Sequence, residues 1–287
     1  MKRNETLAYI DRVDGTSRHT DAQSTSGLVR WRSWGNKPIH VVLIPGGFGS
    51  WRHWIANVEA LSAHCTVHCV EPLGFGDSSD PRTQPPELGE LAQTIVETVP
   101  MAKGAQVALH FVGFSFGGII AGAVAAMMGS QCASLTVCGS GALGLPTGTL
   151  AQAHSVAPNQ PRDVLYAAYR HNLAHFMLKP AHVSELAVEL EHESVLRSRL
   201  RYGHILRSTA LHESIAQLRC PVGAIWGDDD PFTHGCQNAY RKYFEALPTY
   251  IGFEVIKDAA HWVMFEQPER YNRALLALLA RAMPNLH

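Results

Sequence analysis

Residues 111–118 read Phe-Val-Gly-Phe-Ser-Phe-Gly-Gly and contain the pattern G-x-S-x-G, with Ser115 at its centre. An apolar run, Val107–Val112, precedes the motif, and a stretch rich in Ala and Gly, Ile119–Met128, follows it. This order predicts a strand, a sharp turn and a helix. Small flanking residues permit the strained backbone of such a turn, which leaves the serine hydroxyl clear of the chain at the positive end of a helix. Ser115 is therefore a candidate nucleophile.

The composition favours a globular protein that acts on a small molecule. A chain of 287 residues, 46% of them hydrophobic, suits one large α/β domain or one domain with an insertion. Only 17% of the residues are charged, the net charge is −1, and Lys and Arg are scattered. We therefore expect a small-molecule substrate and neither a nucleic-acid nor a membrane partner, with homo-oligomerisation left open.

The segment 104–161 contains no Asp, Glu, Lys or Arg. Val107–Met128 is long enough to span a bilayer. However, His110, Ser115 and paired glycines interrupt it, and no cationic clusters flank it. A buried parallel strand followed by a core helix is the better interpretation, because a strand covered on both faces loses its polar alternation.

The amino terminus and the cysteines bear on the cellular compartment. Residues 1–12 mix charges of both signs, so we expect neither a signal peptide nor an anchor there, and Leu7–Val13 reads as a strand-like piece. The six cysteines lack the spacing of a disulfide framework. We therefore expect free thiols and a reducing, cytoplasmic location.

The segment His64–Cys69 alternates His and Cys in a way that suggests a metal site. On a strand, however, His64 and His68 would face one way while Cys65 and Cys69 face the other, so the four could not converge on one ion. No metal and no cofactor is expected.

Apolar runs alternate with helical patterns along most of the chain, which predicts a parallel sheet with helical crossovers. The predicted strands are a polar piece at Leu28–Trp34 and buried runs at Ile39–Ile44, Thr66–Val70, Ser134–Cys138, Val222–Trp226 and Gly252–Ile256. The predicted helices outside the motif are Trp51–Ser62, Leu88–Val99 and Met264–Ala282.

Residues 146–218 differ in composition and in hydrophobic pattern from the rest of the chain. Charge returns, strand signals vanish and helical patterns dominate. The segment is too long for a connecting loop, so we expect a helical cap over the carboxyl edge of the sheet. The predicted organisation is a core domain made of residues 1–145 and 219–287, with 146–218 as the cap.

An acid and a base follow Ser115 in the chain. Asp228, Asp229 and Asp230 come after one predicted strand, and His261 comes after the last one. Both groups should lie at the carboxyl edge of the sheet, where sites assemble in open α/β folds. A serine needs a base, and the base needs an orienting group, for nucleophilic attack.

At these residues the chain resembles the α/β-hydrolase family, and the likeness extends over essentially the whole length. The motifs that carry it, in family order, are Ile44–Gly49 with Trp51 and Trp54 nearby, Glu71–Ser78, the serine motif, the Trp-Gly-x-x-Asp-Pro turn at 226–231, and Ala260-His261-Trp262. The resemblance implies an α/β-hydrolase fold with a mostly parallel central sheet and a helical cap.

The resemblance also implies roles for individual residues. Ser115 is similar to the nucleophile and His261 to the general base. Asp230 is similar to the acid, with Asp228 as the reserve. The oxyanion hole would combine the backbone N–H of Phe116 with one from the turn Gly47-Phe48.

One departure from the family concerns the oxyanion turn. Many relatives begin this turn with His-Gly, whereas this chain has Pro45-Gly46, so the conformation of the turn is left open. Phe114 and Trp262, next to the nucleophile and the base, are candidate substrate contacts.

These residues predict a cofactor-independent serine hydrolase that cleaves a small, largely apolar carboxylic ester through an acyl-enzyme. Carbon–carbon hydrolysis of ring-cleavage products is an alternative, because the length, the cap and Trp262 are similar to that subgroup. A thioesterase or acyltransferase activity is a second alternative. A non-catalytic receptor on the same scaffold is the alternative from another class.

Other polar residues have less specific interpretations. His110, in the strand before Ser115, reads as a packing residue, while His154, His171, His175 and His204 could touch substrate. Arg197, Arg199, Arg201 and Arg207 could meet a substrate carboxylate, but they follow Glu185, Glu189, Glu191 and Glu193. A solvated, salt-bridged helix face is the default expectation for these eight residues.

Overall fold

An eight-stranded sheet organises the computed structural model, which describes residues 3–103, 108–157 and 159–283. The strand order is β1-β2-β4-β3-β5-β6-β7-β8. β2 pairs antiparallel with both β1 and β4, and all other neighbours pair in parallel. The strands are β1 Arg18–Ser24, β2 Gly27–Trp34, β3 His40–Ile44, β4 Thr66–Glu71, β5 Leu109–Phe114, β6 Cys132–Cys138, β7 Val222–Gly227 and β8 Tyr250–Ile256. The predicted, mostly parallel sheet is confirmed.

Helices cover both faces of this sheet. They are α1 Arg3–Gly15, α2 Val58–Ser62, α3 Leu88–Lys103, α4 Phe116–Met128, α5 Arg162–Asn172, α6 Glu185–Leu196, α7 Gly203–Leu206, α8 Ala210–Ile215, α9 Gln237–Glu245, α10 Val263–Glu266 and α11 Pro268–Ala282. Single-turn 3₁₀ segments lie at Trp51–Trp54, Gly129–Gln131 and Pro180–His182, and a π-helical turn extends α5 at Leu173–Met177.

Two hydrophobic cores lie on opposite faces of the sheet, and strand β3 contributes to both. Its side chains alternate: Val42 packs in the core formed with α3 and α4, and Val41 packs in the core formed with α2 and α11. All residues of β4, β5 and β7 are buried. This burial on both faces explains why β5 and β7 are mostly apolar in sequence, whereas β4 also buries the polar side chains of His68 and Glu71.

The described part of the charge-free segment contains β5, the serine turn, α4 and β6, as predicted. Val107, the predicted start of the first of these strands, lies outside the described residues. Eleven of the thirteen residues of α4 are buried, so its apolar character serves packing inside the protein. Within the described ranges, no helix combines the length and hydropathy needed to cross a bilayer.

The amino-terminal prediction was wrong. Leu7–Val13 lies in helix α1, where Thr6, Ile10 and Val13 are buried at helical spacing. The first strand is Arg18–Ser24 instead, a polar edge strand with only two buried residues and therefore little hydrophobic signal.

Two predicted helices are each divided into two pieces. Trp51–Ser62 forms a 3₁₀ turn and then α2, with a break between Ile55 and Asn57. Met264–Ala282 is divided between α10 and α11, because Pro268 cannot continue a preceding helix and begins a new one.

The segment 146–218 contains α5 to α8, between strands β6 and β7. α6 packs against α1 and α5, whereas α8 packs directly on α4. Leu211 and Ile215 of α8 belong to the core beside the sheet. The proposed division into core and cap stays a prediction.

A buried ion pair fixes the loop after β4. Arg32 Nη1 lies 2.9 Å from Glu71 Oε1, and the two side chains are 3% and 1% exposed. Glu71 Oε2 accepts the backbone N–H of Asp77 at 2.8 Å, and a Cβ at Gly76 would overlap the carboxylate. Glu71 therefore determines how the chain leaves the sheet at this edge.

We expect Glu71→Gln to lower the free energy of unfolding by about 3 kcal/mol, because it removes the one fully buried carboxylate among the three described acids that pair with Arg32. Glu59→Gln is the matched control, since Glu59 pairs with Arg12 at 2.6 Å on the exposed surface. The control should cost less than about 1 kcal/mol. Urea denaturation of both variants measures the difference, and equal losses would contradict the structural role of Glu71.

Candidate active site

Ser115 occupies a strained turn between β5 and α4. Its backbone has φ 51° and ψ −120°, a region that non-glycine residues rarely adopt. The N–H of Ser115 donates to Cys138 O at 2.7 Å, and its C=O accepts from Gly118 N–H at 3.0 Å. A Cβ at Gly113 would overlap the backbone of Gly117, and a Cβ at Gly117 would overlap the carbonyls at the end of β3. Both motif glycines are therefore required sterically.

His261 and Asp230 form a buried pair at the same edge of the sheet. His261 Nδ1 lies 2.8 Å from Asp230 Oδ2, and the side chains are 3% and 1% exposed. Because a carboxylate only accepts, Nδ1 carries the proton and Nε2 is left as the acceptor. Asp230 Oδ1 also accepts the N–H of Phe232 at 2.9 Å.

The other two residues of the acidic triplet have different partners. Asp228 Oδ1 accepts the N–H of Ala259 at 3.2 Å and so closes the turn that leads to His261. Asp229 pairs with Lys179 at 3.0 Å on the surface. The structure thus brings Asp230, and not the reserve Asp228, against the histidine.

The turn after β3 has a defined conformation that His53 supports. Gly46 N–H donates to His53 Nδ1 at 3.1 Å, and Gly49 N–H donates to Gly46 O at 3.0 Å. Burial, with a smaller contribution from His261, lowers the pKa of His53 to about 3, so the ring is neutral and can accept. Within the turn, Phe48 has a positive φ of 58°. His53 therefore orders the turn that the Pro45-Gly46 sequence had left open.

Trp262 does not line the cavity above Ser115, which corrects its prediction as a substrate contact. Its indole is fully buried, stacks on Phe265 with ring centroids 4.4 Å apart, and donates to His53 O at 2.8 Å. Trp262 thus connects the histidine loop to the oxyanion turn. Phe114, the other predicted contact, does line the cavity.

A cavity of about 580 Å³ lies over the candidate nucleophile. Ser115, Phe116, Gly47, Phe48 and His261 line its floor, together with Phe114. Part of the apolar wall of the cavity comes from the 146–218 segment, through Phe176, Met177 and Leu206. The size suits a small-molecule ligand.

Tyr202 is a cavity residue that the sequence analysis did not find. Its ring stacks on Phe116 with centroids 4.2 Å apart, and a Cβ at Gly47 would overlap its hydroxyl. Tyr202 therefore covers the place where the Phe116 and Gly47-Phe48 backbones meet. An isolated Tyr beyond a run of arginines gives no sequence signal for such a position.

Glu191 is the second cavity residue that the sequence analysis missed. Instead of a solvated helix face, α6 presents Glu191 to the cavity, where burial raises the pKa of its carboxyl to about 7. The Glu191 side chain is half-buried, whereas Glu189 is buried and lies 3.4 Å from both Arg3 and Arg162. The expectation of a solvated, salt-bridged helix face was therefore wrong for Glu191, while for Glu189 the salt bridges are present but the side chain is buried.

Two of the four arginines that follow α6 form ion pairs among the described residues. Arg197 lies 2.7 Å from Asp77 and also pairs with Glu193, and Arg199 pairs with Asp80. Arg207 is exposed and lines the cavity.

The other histidines and the cysteines lie away from the cavity wall. His110 is buried, with Nδ1 2.8 Å from Ser134 Oγ, as expected of a packing residue. His171 stacks between His154 and His175, and neither these three nor His204 lines the cavity. All six cysteines are free. His68 bonds Ser33 and His40, and no metal-binding cluster occurs in the described part of the chain.

Comparison with known proteins identifies the family and the fold. Residues 41–274 match the model of the alpha/beta hydrolase family. The chain is 27% identical over 271 residues to the dihydrolipoyllysine-residue acetyltransferase component of the acetoin cleaving system of Pseudomonas putida, covering 88% of this chain and 67% of that protein.

Two solved structures share the fold. Carboxylesterase CesB from Bacillus subtilis superposes with a TM-score of 0.69 at 18% identity, over 96% of this chain and 98% of that one. Esterase RhEst1 from Rhodococcus sp. gives 0.71 at 17% identity, over 92% and 98%. The chain belongs to the alpha/beta hydrolase family. It is a hydrolase.

We expect His53→Ala to lower kcat by about 10- to 100-fold on any ester the protein cleaves, because a displaced oxyanion donor weakens transition-state stabilisation. His53→Asn places an amide oxygen close to the position of Nδ1 and should restore most of kcat. Steady-state kinetics and circular dichroism on both variants test this. Equal kcat loss in two folded variants would contradict the role of the Gly46 hydrogen bond.

Proposed function

We propose that this protein is a cofactor-independent serine hydrolase that cleaves a small, largely apolar carboxylic ester through an acyl-enzyme. The observation that carries the proposal is that Ser115, on its strained turn, and the buried His261–Asp230 pair line one cavity with an apolar wall. Family membership supports it.

In the first half of the reaction, Ser115 Oγ attacks the carbonyl carbon while His261 Nε2 takes the hydroxyl proton. Asp230 holds the ring by accepting Nδ1–H at 2.8 Å and stabilises the imidazolium that forms. The carbonyl π electrons move to oxygen, and N–H groups of Phe116 and of the Gly47-Phe48 turn stabilise this oxyanion. Collapse of the intermediate breaks the C–O bond, and His261 protonates the departing alkoxide.

In the second half, His261 accepts a proton from water, and the resulting hydroxide attacks the acyl carbon. Collapse returns the proton to Ser115 Oγ and releases the acid, so the sum of the two halves is ester plus water giving acid plus alcohol. The 146–218 segment acts in this proposal as the cap that keeps bulk water from the acyl-enzyme. Six free thiols support a reducing, cytoplasmic location.

Acyl transfer is a second candidate, because the Pseudomonas putida relative is named as an acetyltransferase component. A thiol or alcohol acceptor would then replace water in the second half of the reaction. Adding a series of such acceptors to the ester assay distinguishes the two activities by the product formed. Carbon–carbon and thioester hydrolysis stay sequence-based predictions.

We expect a fluorophosphonate probe to label Ser115, and labelling to be lost in Ser115→Ala and reduced by at least about 100-fold in His261→Ala. Intact-mass spectrometry and peptide mapping measure the adduct. A folded wild-type protein that neither labels nor cleaves short p-nitrophenyl esters would overturn the proposal and favour a binding role on the same scaffold.

The acid of the proposed triad is tested by a matched pair of variants. Asp230→Asn should lower kcat/KM by about 10³- to 10⁴-fold, because an amide no longer fixes the histidine tautomer or balances the imidazolium charge. Asp228→Asn keeps an oxygen that can accept from Ala259 N–H and should lose less than about 10-fold. The reverse order would transfer the acid role to Asp228.

A further inference from the structure

We propose that Glu191 selects substrates that carry a cationic, ammonium-type group, which it binds in the cavity above Ser115. This inference deepens the proposed function and rests on it. The proposed function names only a small, largely apolar ester, and this inference adds a cationic group that the cavity would recognise on that ester.

The first observation is the contrast between Glu191 and the other glutamates of α6. Glu189 is paired with Arg162 and Arg3, Glu193 with Arg197 and Glu185 with Arg170. Glu191 has no cationic side chain of the described residues within salt-bridge distance. One turn of the helix therefore presents an unpaired carboxyl to the cavity.

The second observation is the surroundings of this carboxyl. Tyr169 and Tyr202 lie close enough for the charge of Glu191 to contribute to the raised pKa of both phenols. Arg207 also lines the cavity, but it is exposed, and its guanidinium lies toward Gly203. An ammonium group beside Glu191 would gain both a countercharge and aromatic faces.

Three arginines of the neighbouring helices pair with other acids: Arg3 of α1 and Arg162 of α5 with Glu189, and Arg170 of α5 with Glu185. Arg52 of the 3₁₀ turn is buried, and the acids whose charges act on its pKa are Glu71 and Glu193, not Glu191. In the cavity itself His261 is held by Asp230. Apart from Arg207, which lines the same cavity but forms no ion pair with Glu191, a ligand is the source of positive charge for this carboxyl.

Protonation of Glu191 sets the pH dependence of this selection. Burial raises the pKa of its carboxyl to about 7, so the group is neutral below that pH and ionised above it. Recognition of a cation should consequently strengthen as pH rises through this range.

The test compares acetylthiocholine with 3,3-dimethylbutyl thioacetate, which has nearly the same shape but lacks the positive charge. In the wild-type protein at pH 8, kcat/KM should favour the cationic thioester by about 10-fold or more. In Glu191→Gln this ratio should fall to about 1. Glu185→Gln, the same change on the outer face of α6, should keep the wild-type ratio.

Acidification from pH 8 to pH 6 should lower the ratio in the wild-type protein and leave it unchanged in Glu191→Gln. The charge of neither substrate changes with pH, and any pH effect on the shared chemical step cancels in the ratio. Protection of Ser115 from the fluorophosphonate by tetraethylammonium gives a second readout that needs no turnover. Protection should occur in the wild-type protein and weaken by about 10-fold in Glu191→Gln.

The outcomes separate this inference from the proposed function. If Ser115 is labelled but neither the ratio nor the protection depends on Glu191, the ammonium inference is overturned and the serine hydrolase stands. If Ser115 is not labelled and no ester is cleaved, the proposed function fails, and the inference fails with it.

Discussion

The close approach of the serine turn to the end of β3 is the constraint on which the site depends. Gly117 lies so near the carbonyls of Ile44 and Pro45 that a Cβ there would overlap them. The same contact places the first N–H groups of α4 beside the turn that begins at Pro45. Because both backbones continue from adjacent parallel strands of a buried sheet, the candidate nucleophile and the proposed oxyanion turn are held in one rigid frame.

A second set of contacts couples this frame to the base. Gly46 donates to His53, and the carbonyl of His53 accepts from Trp262, the residue directly after His261. Gly46, His53 and Trp262, which form these hydrogen bonds, are all buried, so water does not compete for the bonds in the folded state. These hydrogen bonds couple the positions of the proposed oxyanion turn and of the histidine loop. The two regions are distant in sequence, since His53 and His261 are 208 positions apart.

Sequence patterns predicted the parts of the site that short motifs specify. Ser115, His261 and the acidic turn follow strand ends, and a strand end fixes its neighbours within one or two residues. Glu191 and Tyr202 could not be found in this way, because their positions depend on how the 146–218 segment packs. Trp262 was misread for a related reason: adjacency to His261 in sequence does not decide whether a side chain faces the cavity or the core. Leu7–Val13 shows that a short, weakly apolar piece does not distinguish a period of 2 from one of 3.6.

The apolar character of the cavity is what makes one carboxyl on its wall consequential. Two opposite unit charges 4 Å apart attract by about 1 kcal/mol in water but by about 4 kcal/mol at the effective dielectric of a partly buried site. The same low polarity makes an unpaired charge costly, which is why burial raises the pKa of Glu191 to about 7. A carboxyl in this position distinguishes cationic from neutral ligands in two ways. It attracts the cation directly, and the bound cation favours the ionised form of the carboxyl. In the proposed function, its contribution therefore lies in the choice among substrates, whereas the chemistry at the carbonyl carbon is assigned to the candidate residues on the sheet edge.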